Sequence, residues 1–167
     1  MTQADGSRQQ FRVGVGYDSH RLGAGNGVLL GGVRIPSDQS LVGHSDADAV
    51  AHAVTDALLG AAALGDIGAM FPDTDPAHKG RDSIAMLGAA VQRVREAGWV
   101  PVNIDVTVVA EAPKIGPHRN AIRARLSAAL GVGIDGISVK GKTNEGMGWI
   151  GRGEGVAVMA VASIVRR

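Results

Sequence analysis

The stretch that decides the fold is GVAVMAVASIV, residues 155–165. Alternate residues of a β-strand point to opposite faces of a sheet, and in this stretch both alternating sets are apolar. The pattern therefore predicts a strand that is buried on both faces. Because helices packed on one face leave the other uncovered, we expect further copies of the chain to cover it, with the sheets facing each other around an axis.

Other short apolar runs predict the remaining strands of the fold. They are residues 11–16, 103–111 and 137–140, and two short segments within 28–36 that flank the Gly31-Gly32 turn. The sequence thus predicts a four-stranded mixed sheet and a separate small β-hairpin.

Three helices are predicted between these strands. The first opens at Ser45, which can cap the helix with Asp48 three residues later, and its apolar positions run through Leu64. The amphipathic runs 81–98 and 117–131 each end at or near a glycine. Because strands and helices do not alternate in a regular βαβ period, we expect an α+β fold with helices on one face of the sheet.

The composition places the chain among globular proteins and limits the classes of partner that we expect it to bind. With 167 residues, 45% of them hydrophobic, the chain has the size of one domain, which we place at residues 11–167 after a disordered tail at 1–10. Seventeen basic and sixteen acidic residues, without a basic cluster, predict no nucleic-acid partner and no membrane. The tail has no signal-like apolar stretch, which favours a cytoplasmic protein. The absence of cysteine excludes disulfides and thiolate metal ligands.

A candidate metal site combines the end of the first strand with the first helix. The sequence GYDSH brings Asp18 and His20 to one face of the strand end, and His52 lies in the helix. Two imidazoles and one carboxylate are the ligand set of a catalytic zinc site, which keeps a fourth position open. Asp48 and Asp56, one turn before and after His52, could each orient its ring. A core histidine beside a turn aspartate explains the same spacing equally well.

Two loops have compositions suited to a phosphorylated sugar ligand. The loop at residues 141–155 places six glycines around Lys142, Thr143, Glu145 and Arg152, so its N–H groups and cations can face a phosphate. The acidic loop FPDTD suits a sugar hydroxyl or a divalent metal. A flexible hairpin connection and an Asp-Pro turn are the structural alternatives for the two loops.

The motifs together resemble one enzyme family. In order along the chain they are VGVGYDSHRL, GGVRIP, HSDADAVAH, FPDTDP, AEAPK and GRGEG. This order and spacing is similar to that of the 2-C-methyl-D-erythritol 2,4-cyclodiphosphate synthases, and the resemblance extends from residue 11 to about residue 166.

The resemblance implies an activity, two metals and an assembly. The family converts 4-diphosphocytidyl-2-C-methyl-D-erythritol 2-phosphate to the 2,4-cyclodiphosphate and releases CMP, a step of the non-mevalonate isoprenoid route. It implies a homotrimer whose sheets face the three-fold axis and whose active sites lie between neighbouring subunits. It also implies a Zn²⁺ ion on Asp18, His20 and His52, and a Mg²⁺ or Mn²⁺ ion on Glu145 that bridges the substrate phosphates.

The same resemblance assigns the remaining site residues. It implies that His44 and Ser45 clamp the substrate and that Thr143 stabilises the transition state. The methylerythritol-side residues are Asp66, Ile67, Gly68, Phe71, Pro72, Asp73, Thr74 and Asp75. The cytidine-binding segment comprises Ala110, Glu111, Ala112, Pro113, Lys114, Ile115 and Gly116, and the remaining substrate-binding residues are Lys142, Asn144, Trp149 and Arg152.

The chain departs from the family pattern in the glycine-rich loop. Many members have a run of threonines before the Glu, whereas this chain reads Lys142-Thr143-Asn144-Glu145, which adds a cation beside the phosphates. Two other classes of function stay open. One is a metal-sensing oligomer with a closed zinc site, in which His44 or Asp46 is the fourth ligand. The other is a zinc hydrolase, in which water attacks and the product is linear rather than cyclic.

Overall fold

A five-stranded mixed sheet and a separate two-stranded hairpin form the β structure of the chain. The computed structural model describes residues 10–72, 74 and 80–167. In chain order the strands are β1 (Phe11–Ala24), β2 (Val28–Leu30), β3 (Val33–Ile35), β4 (Gln39–Val42), β5 (Trp99–Val109), β6 (Ile137–Lys142) and β7 (Gly155–Arg166). The order in the sheet is β4-β1-β7-β5-β6, and only the β5–β6 pair is parallel. The hairpin β2–β3 turns at Gly31-Gly32, as predicted.

The prediction of four strands in the main sheet is wrong, because β4 adds a fifth. This strand is only four residues long, so it has no room for a recognisable alternating pattern. It pairs with the second half of β1, from Arg21 opposite Val42 to Ala24 opposite Gln39. The strand β1 therefore runs well past residue 16, through the polar DSHR stretch.

Three long α-helices and two single-turn α-helices lie between the strands in the described residues. They are α1 (Ala49–Ala61), α2 (Ile67–Met70), α3 (Ser83–Glu96), α4 (Arg119–Leu130) and α5 (Gly148–Gly151). The three predicted helices are confirmed with shifted ends. The predicted cap of the first helix is wrong, because the N-cap is Asp48, whose carboxylate accepts the N–H groups of Val50 and Ala51. In the described residues, no helix has the length and hydropathy needed to span a lipid bilayer.

The helices cover one face of the main sheet, and the alternation of β7 shows which one. Its buried side chains on that face are Val156, Val158, Ala160, Ala162 and Ile164. The helix α1 lies unusually close to β1, since a Cβ atom on Gly16 would lie 1.9 Å from the carbonyl oxygen of Ala53. Glycines in β1 are therefore required for α1 to sit directly on the strand.

The opposite face of the sheet is apolar and exposed in the single chain. We call it the open sheet face and define it by Phe11, Val13, Val15, Tyr17, Met159 and Val161. Strand register places these residues together, because Val15 lies opposite Val161 and Tyr17 opposite Met159. Their exposed fractions range from 39% to 69%, which makes this face a candidate contact surface.

Candidate metal centre and substrate grooves

The fold brings the three predicted metal ligands together. Asp18 and His20 extend from one face of β1, and His52 extends from the first turns of α1, which packs on that strand. The carboxylate Oδ2 of Asp18 lies 2.9 Å from Nε2 of His20 and 3.0 Å from Nδ1 of His52. The two ring nitrogens are 3.3 Å apart. Among the described residues, this is the one group whose side chains are placed to hold a metal ion together.

These separations fit a tetrahedral metal ion. Ligand atoms about 2.0–2.1 Å from a tetrahedral zinc are separated from each other by about 3.3 Å. The three atoms of Asp18, His20 and His52 are already within a few tenths of an ångström of that spacing. A three-ligand set also leaves a fourth position for a substrate oxygen.

The remaining ring nitrogens of both histidines have hydrogen-bond partners. Nδ1 of His20 lies 3.0 Å from the backbone carbonyl of Val42 on β4, the strand that the sequence did not predict. Nε2 of His52 lies 2.8 Å from Oγ of Ser83 and 3.0 Å from Oγ of Ser45. Ser83 was not identified from the sequence, since no spacing signal links it to a histidine 31 residues away.

The prediction that Asp48 or Asp56 orients His52 is wrong. Because Asp48 is the N-cap of α1, its carboxylate faces the helix start and also accepts N–H bonds from Gly31 and Gly32. The Oδ1 atom of Asp56 accepts the N–H of Ile67 at 2.7 Å. Spacing along a helix places side chains on one face, but it does not decide which hydrogen bond a carboxylate makes.

The triad is electrostatically prepared for a cation. Burial raises the pKa of the Asp18 carboxyl, but the hydrogen bonds from His20 and His52 outweigh it and lower the pKa to about 2. Burial lowers the pKa of His20, but the neighbouring Asp18 and the Val42 carbonyl outweigh this effect and raise the pKa above its usual value. A cation bound here therefore meets an ionised carboxylate and displaces the proton of a histidine.

A cleft of about 240 Å³ opens beside the triad, and we call it the triad cleft. In addition to the triad, its lining residues are His44, Ser45, Ile67, Gly68, Phe71 and Met86. The structure thus brings five predicted substrate residues to the metal ligands. Asp66 caps α2 by accepting the N–H of Ala69, and Pro72 and Thr74 are exposed. Asp73 and Asp75 lie outside the described residues.

A second groove, of about 350 Å³, contains most of the predicted cytidine-binding segment, and we call it the 110–116 groove. Its lining residues are Ala110, Pro113, Lys114, Ile115, Gly116, Pro117, Arg119, Gly141, Lys142 and Thr143. The parallel pairing of β5 with β6 brings residues 110–116 beside 141–143. Pro117 and Arg119 are lining residues that the sequence analysis missed.

The turn after β6 holds Glu145 in a constrained backbone conformation. Glu145 has a φ of 52°, in the left-handed region that few non-glycine residues adopt. Its carboxylate accepts a hydrogen bond from Oγ1 of Thr143 at 3.1 Å. The Oε1 atom of Glu111 accepts the N–H groups of Asn144 and Gly146 at 2.9 and 3.2 Å. In the free chain, Glu111 therefore anchors this turn.

Trp149 and Arg152 contact other groups in the single chain. Trp149 lines a small cleft with Ser19, His20, Arg21 and Glu154. The guanidinium Nε of Arg152 lies 2.6 Å from Oε1 of Glu154, and both side chains are largely exposed. The exposed side chain of Ala112 likewise does not line the 110–116 groove.

The fold and the triad define an α+β protein with a candidate metal centre at the edge of a cleft. The sequence model of the YgbB family matches residues 11–165. A protein of Gemmatimonas aurantiaca named 2-C-methyl-D-erythritol 2,4-cyclodiphosphate synthase is 63% identical over 155 residues, which cover 93% of this chain and 93% of that protein. The chain belongs to the YgbB family.

Two solved structures share this fold. The bifunctional IspDF from Campylobacter jejuni superposes with a TM-score of 0.92 at 39% identity, over 96% of this chain and 43% of that chain. A CDP-bound form of a 2C-methyl-D-erythritol-2,4-cyclodiphosphate synthase superposes with a TM-score of 0.83 at 41% identity, over 90% of this chain and 98% of that one.

Proposed function

We propose that the chain converts 4-diphosphocytidyl-2-C-methyl-D-erythritol 2-phosphate to 2-C-methyl-D-erythritol 2,4-cyclodiphosphate with release of CMP. The observation that carries the proposal is the Asp18-His20-His52 triad at the edge of a cleft lined by His44 and Ser45. Membership of the YgbB family and the names of close relatives support the reaction. The enzyme is then a cyclising phosphorus-oxygen lyase.

The triad is proposed to hold one Zn²⁺ ion per subunit. The donor set of two imidazoles and a carboxylate suits zinc, and the cleft leaves the fourth position accessible. When bound, the zinc supplies a Lewis acid that polarises a phosphate oxygen. The alternative of a closed structural site gains no support from Asp46, because its carboxylate bonds to Ser83.

The second metal is proposed at Glu145. Mg²⁺ and Mn²⁺ bind through a few carboxylates together with waters and substrate phosphates. The exposed Glu145 beside the Thr143 hydroxyl fits this limited protein contribution. Lys142 in the 110–116 groove adds a positive charge near the same phosphates.

The side chains are proposed to position the substrate rather than to attack it. An oxygen of the 2-phosphate forms a bond to the β-phosphorus, and the bond from that phosphorus to the CMP oxygen breaks. Because the substrate supplies both nucleophile and leaving group, the protein needs only to align them and to neutralise charge. His44 and Ser45 clamp the substrate, the segment with Ile67, Gly68 and Phe71 holds the methylerythritol end, and residues 110–116 hold the cytidine.

We propose a homotrimer whose sheets face the three-fold axis. The support is the open sheet face, which exposes six large apolar side chains on one side of the sheet. The triad cleft and the 110–116 groove are lined by different residues of the chain. Assembly then completes each active site by bringing the 110–116 groove of one subunit to the triad cleft of its neighbour.

The experiment that tests the two metal assignments compares His52→Ala with Glu145→Gln. His52→Ala is expected to lose zinc and CMP release together. Glu145→Gln is expected to keep about one zinc per subunit and to lower CMP release, because charge neutralisation at the departing CMP is lost. Metal analysis measures the zinc content of both variants, and a CMP assay measures their CMP release. Full zinc retention in His52→Ala contradicts the triad site, and full activity of Glu145→Gln without added magnesium or manganese contradicts the second site.

A further inference from the structure

We infer that Ser83 and Asp46 are positioning residues that fix the ring of His52 so that Nδ1 is the metal-binding nitrogen. The inference rests on the proposed zinc site. Its starting observation is a partly buried chain of hydrogen bonds that leads away from the triad, from His52 through Ser83 to Asp46. Ser83 is completely buried, although it is the first residue of α3.

The direction of each hydrogen bond follows from the groups involved. An ionised carboxylate can only accept, so the hydroxyl of Ser83 donates to Oδ1 of Asp46. The Ser83 oxygen, with its one proton committed, must accept from Nε2 of His52 at 2.8 Å. With a cation on the triad, the imidazole proton therefore lies on Nε2, and the lone pair of Nδ1 is directed to the space between Asp18 and His20.

Asp46 holds the Ser83 hydroxyl in this orientation. Its Oδ2 atom accepts the backbone N–H of Ser83 at 3.0 Å, so both carboxylate oxygens contact the same residue. Ser45 also approaches Nε2 of His52, at 3.0 Å, but it lines the triad cleft and is proposed to contact substrate. Ser83 alone is both buried and backed by a carboxylate, so it can keep the ring fixed while Ser45 engages a ligand.

The two histidines of the triad use different ring nitrogens for the metal. His20 donates from Nδ1 to the carbonyl of Val42, which leaves Nε2 for the metal. In the metal-free chain Asp18 lies within hydrogen-bond distance of Nδ1 of His52 and favours a proton there. A bound metal ion removes the need for that proton, and Ser83 with Asp46 retains the proton on Nε2.

The test compares zinc affinity in Ser83→Ala with that in Thr55→Val. Thr55 is an equally buried hydroxyl on α1, bonded to the carbonyl of Ala51, so its loss controls for the loss of a buried hydrogen bond. Competition with a chromogenic chelator gives the zinc Kd. Ser83→Ala is expected to raise the zinc Kd tenfold to a hundredfold, whereas Thr55→Val leaves it unchanged. A Kd of Ser83→Ala within twofold of the unsubstituted protein overturns the inference.

A second readout keeps the inference testable if Ser83→Ala folds poorly. Nitrogen NMR of the zinc-loaded, unsubstituted protein is expected to show His52 bound through Nδ1 and protonated on Nε2, and coordination through Nε2 overturns the inference. Asp46→Ala is also expected to raise the zinc Kd. The variant that combines Asp46→Ala with Ser83→Ala is expected to have the same zinc Kd as Ser83→Ala alone, because Asp46 acts through Ser83. Additive effects contradict that role. If the unsubstituted protein binds no zinc, the proposed function fails instead.

Discussion

Asp48 illustrates how one buried side chain joins two parts of the fold. Its carboxylate accepts four backbone N–H groups, two from the hairpin turn at Gly31 and Gly32 and two from the start of α1 at Val50 and Ala51. The side chain is completely buried. Because α1 presents His52 to the triad, Asp48 stabilises the site without contacting it.

Asp48→Ala is therefore expected to lower the free energy of unfolding by at least about 3 kcal/mol, since several buried N–H groups lose their acceptor. The matched control is Asp82→Ala, which removes the exposed N-cap of α3 and is expected to cost about 1 kcal/mol. Urea unfolding at one protomer concentration measures both. Equal losses for the two variants would show that the hairpin contacts of Asp48 add no stability.

At the scale of elements, the seating of α1 on β1 determines the geometry of the triad. Asp18 and His20 belong to the strand and His52 to the helix, so their separation depends on how closely the two elements pack. Gly14 and Gly16 allow the backbone of α1 to approach the strand, with a Cβ on Gly14 falling 2.1 Å from the carbonyl oxygen of Ala57.

Gly16→Ala is expected to destabilise the protein by roughly 3 kcal/mol and to weaken zinc binding, because the new Cβ meets backbone atoms of α1 that cannot rotate away. The control is Gly60→Ala, which lies in α1. No atom lies near its added Cβ, so a gain of roughly 0.5–1 kcal/mol is expected. Urea unfolding measures the stability of both variants, and chelator competition measures their zinc affinity. Unchanged zinc affinity in Gly16→Ala would mean that the packing of α1 on β1 does not determine the geometry of the triad.

The sequence predicted those elements that are long and periodic. The strand β7 and the helices α1, α3 and α4 each have enough residues to show a pattern, and the hairpin of two short strands was predicted from its Gly31-Gly32 turn. The strand β4 does not, although its Val42 carbonyl contacts His20. The triad was predictable because strand alternation and a family resemblance both indicated it. The hydrogen bond from His52 to Ser83 was not, because only the packing of α3 against α1 creates it.

For the whole molecule, the open sheet face is the feature that the single chain leaves unexplained. The sequence predicted apolar residues on both faces of β7, and the structure distinguishes them. Val158 is completely buried on the helix side, whereas Val161 is 39% exposed on the open sheet face. The proposed trimer would bury this face at its subunit contacts.

Val161→Asp is expected to prevent trimer formation while each chain stays folded, because a buried unpaired charge is costly in the assembly. Val158→Asp is expected to prevent folding instead. Ile134→Asp, at an exposed apolar side chain outside the open sheet face, is the control and should remain trimeric. Light scattering with circular dichroism reports mass and folding. A trimeric Val161→Asp protein, or a monomeric unsubstituted protein, would contradict the proposed assembly.

The most direct test of the proposed reaction is a phosphorus NMR spectrum of its products. The protein is incubated with 4-diphosphocytidyl-2-C-methyl-D-erythritol 2-phosphate, zinc and magnesium. Attack by the 2-phosphate predicts equal amounts of CMP and the 2,4-cyclodiphosphate, and neither product above background with His52→Ala. An uncyclised product that carries two separate phosphate groups, formed by attack of water on the same phosphorus, would contradict the proposed cyclisation and identify a hydrolase.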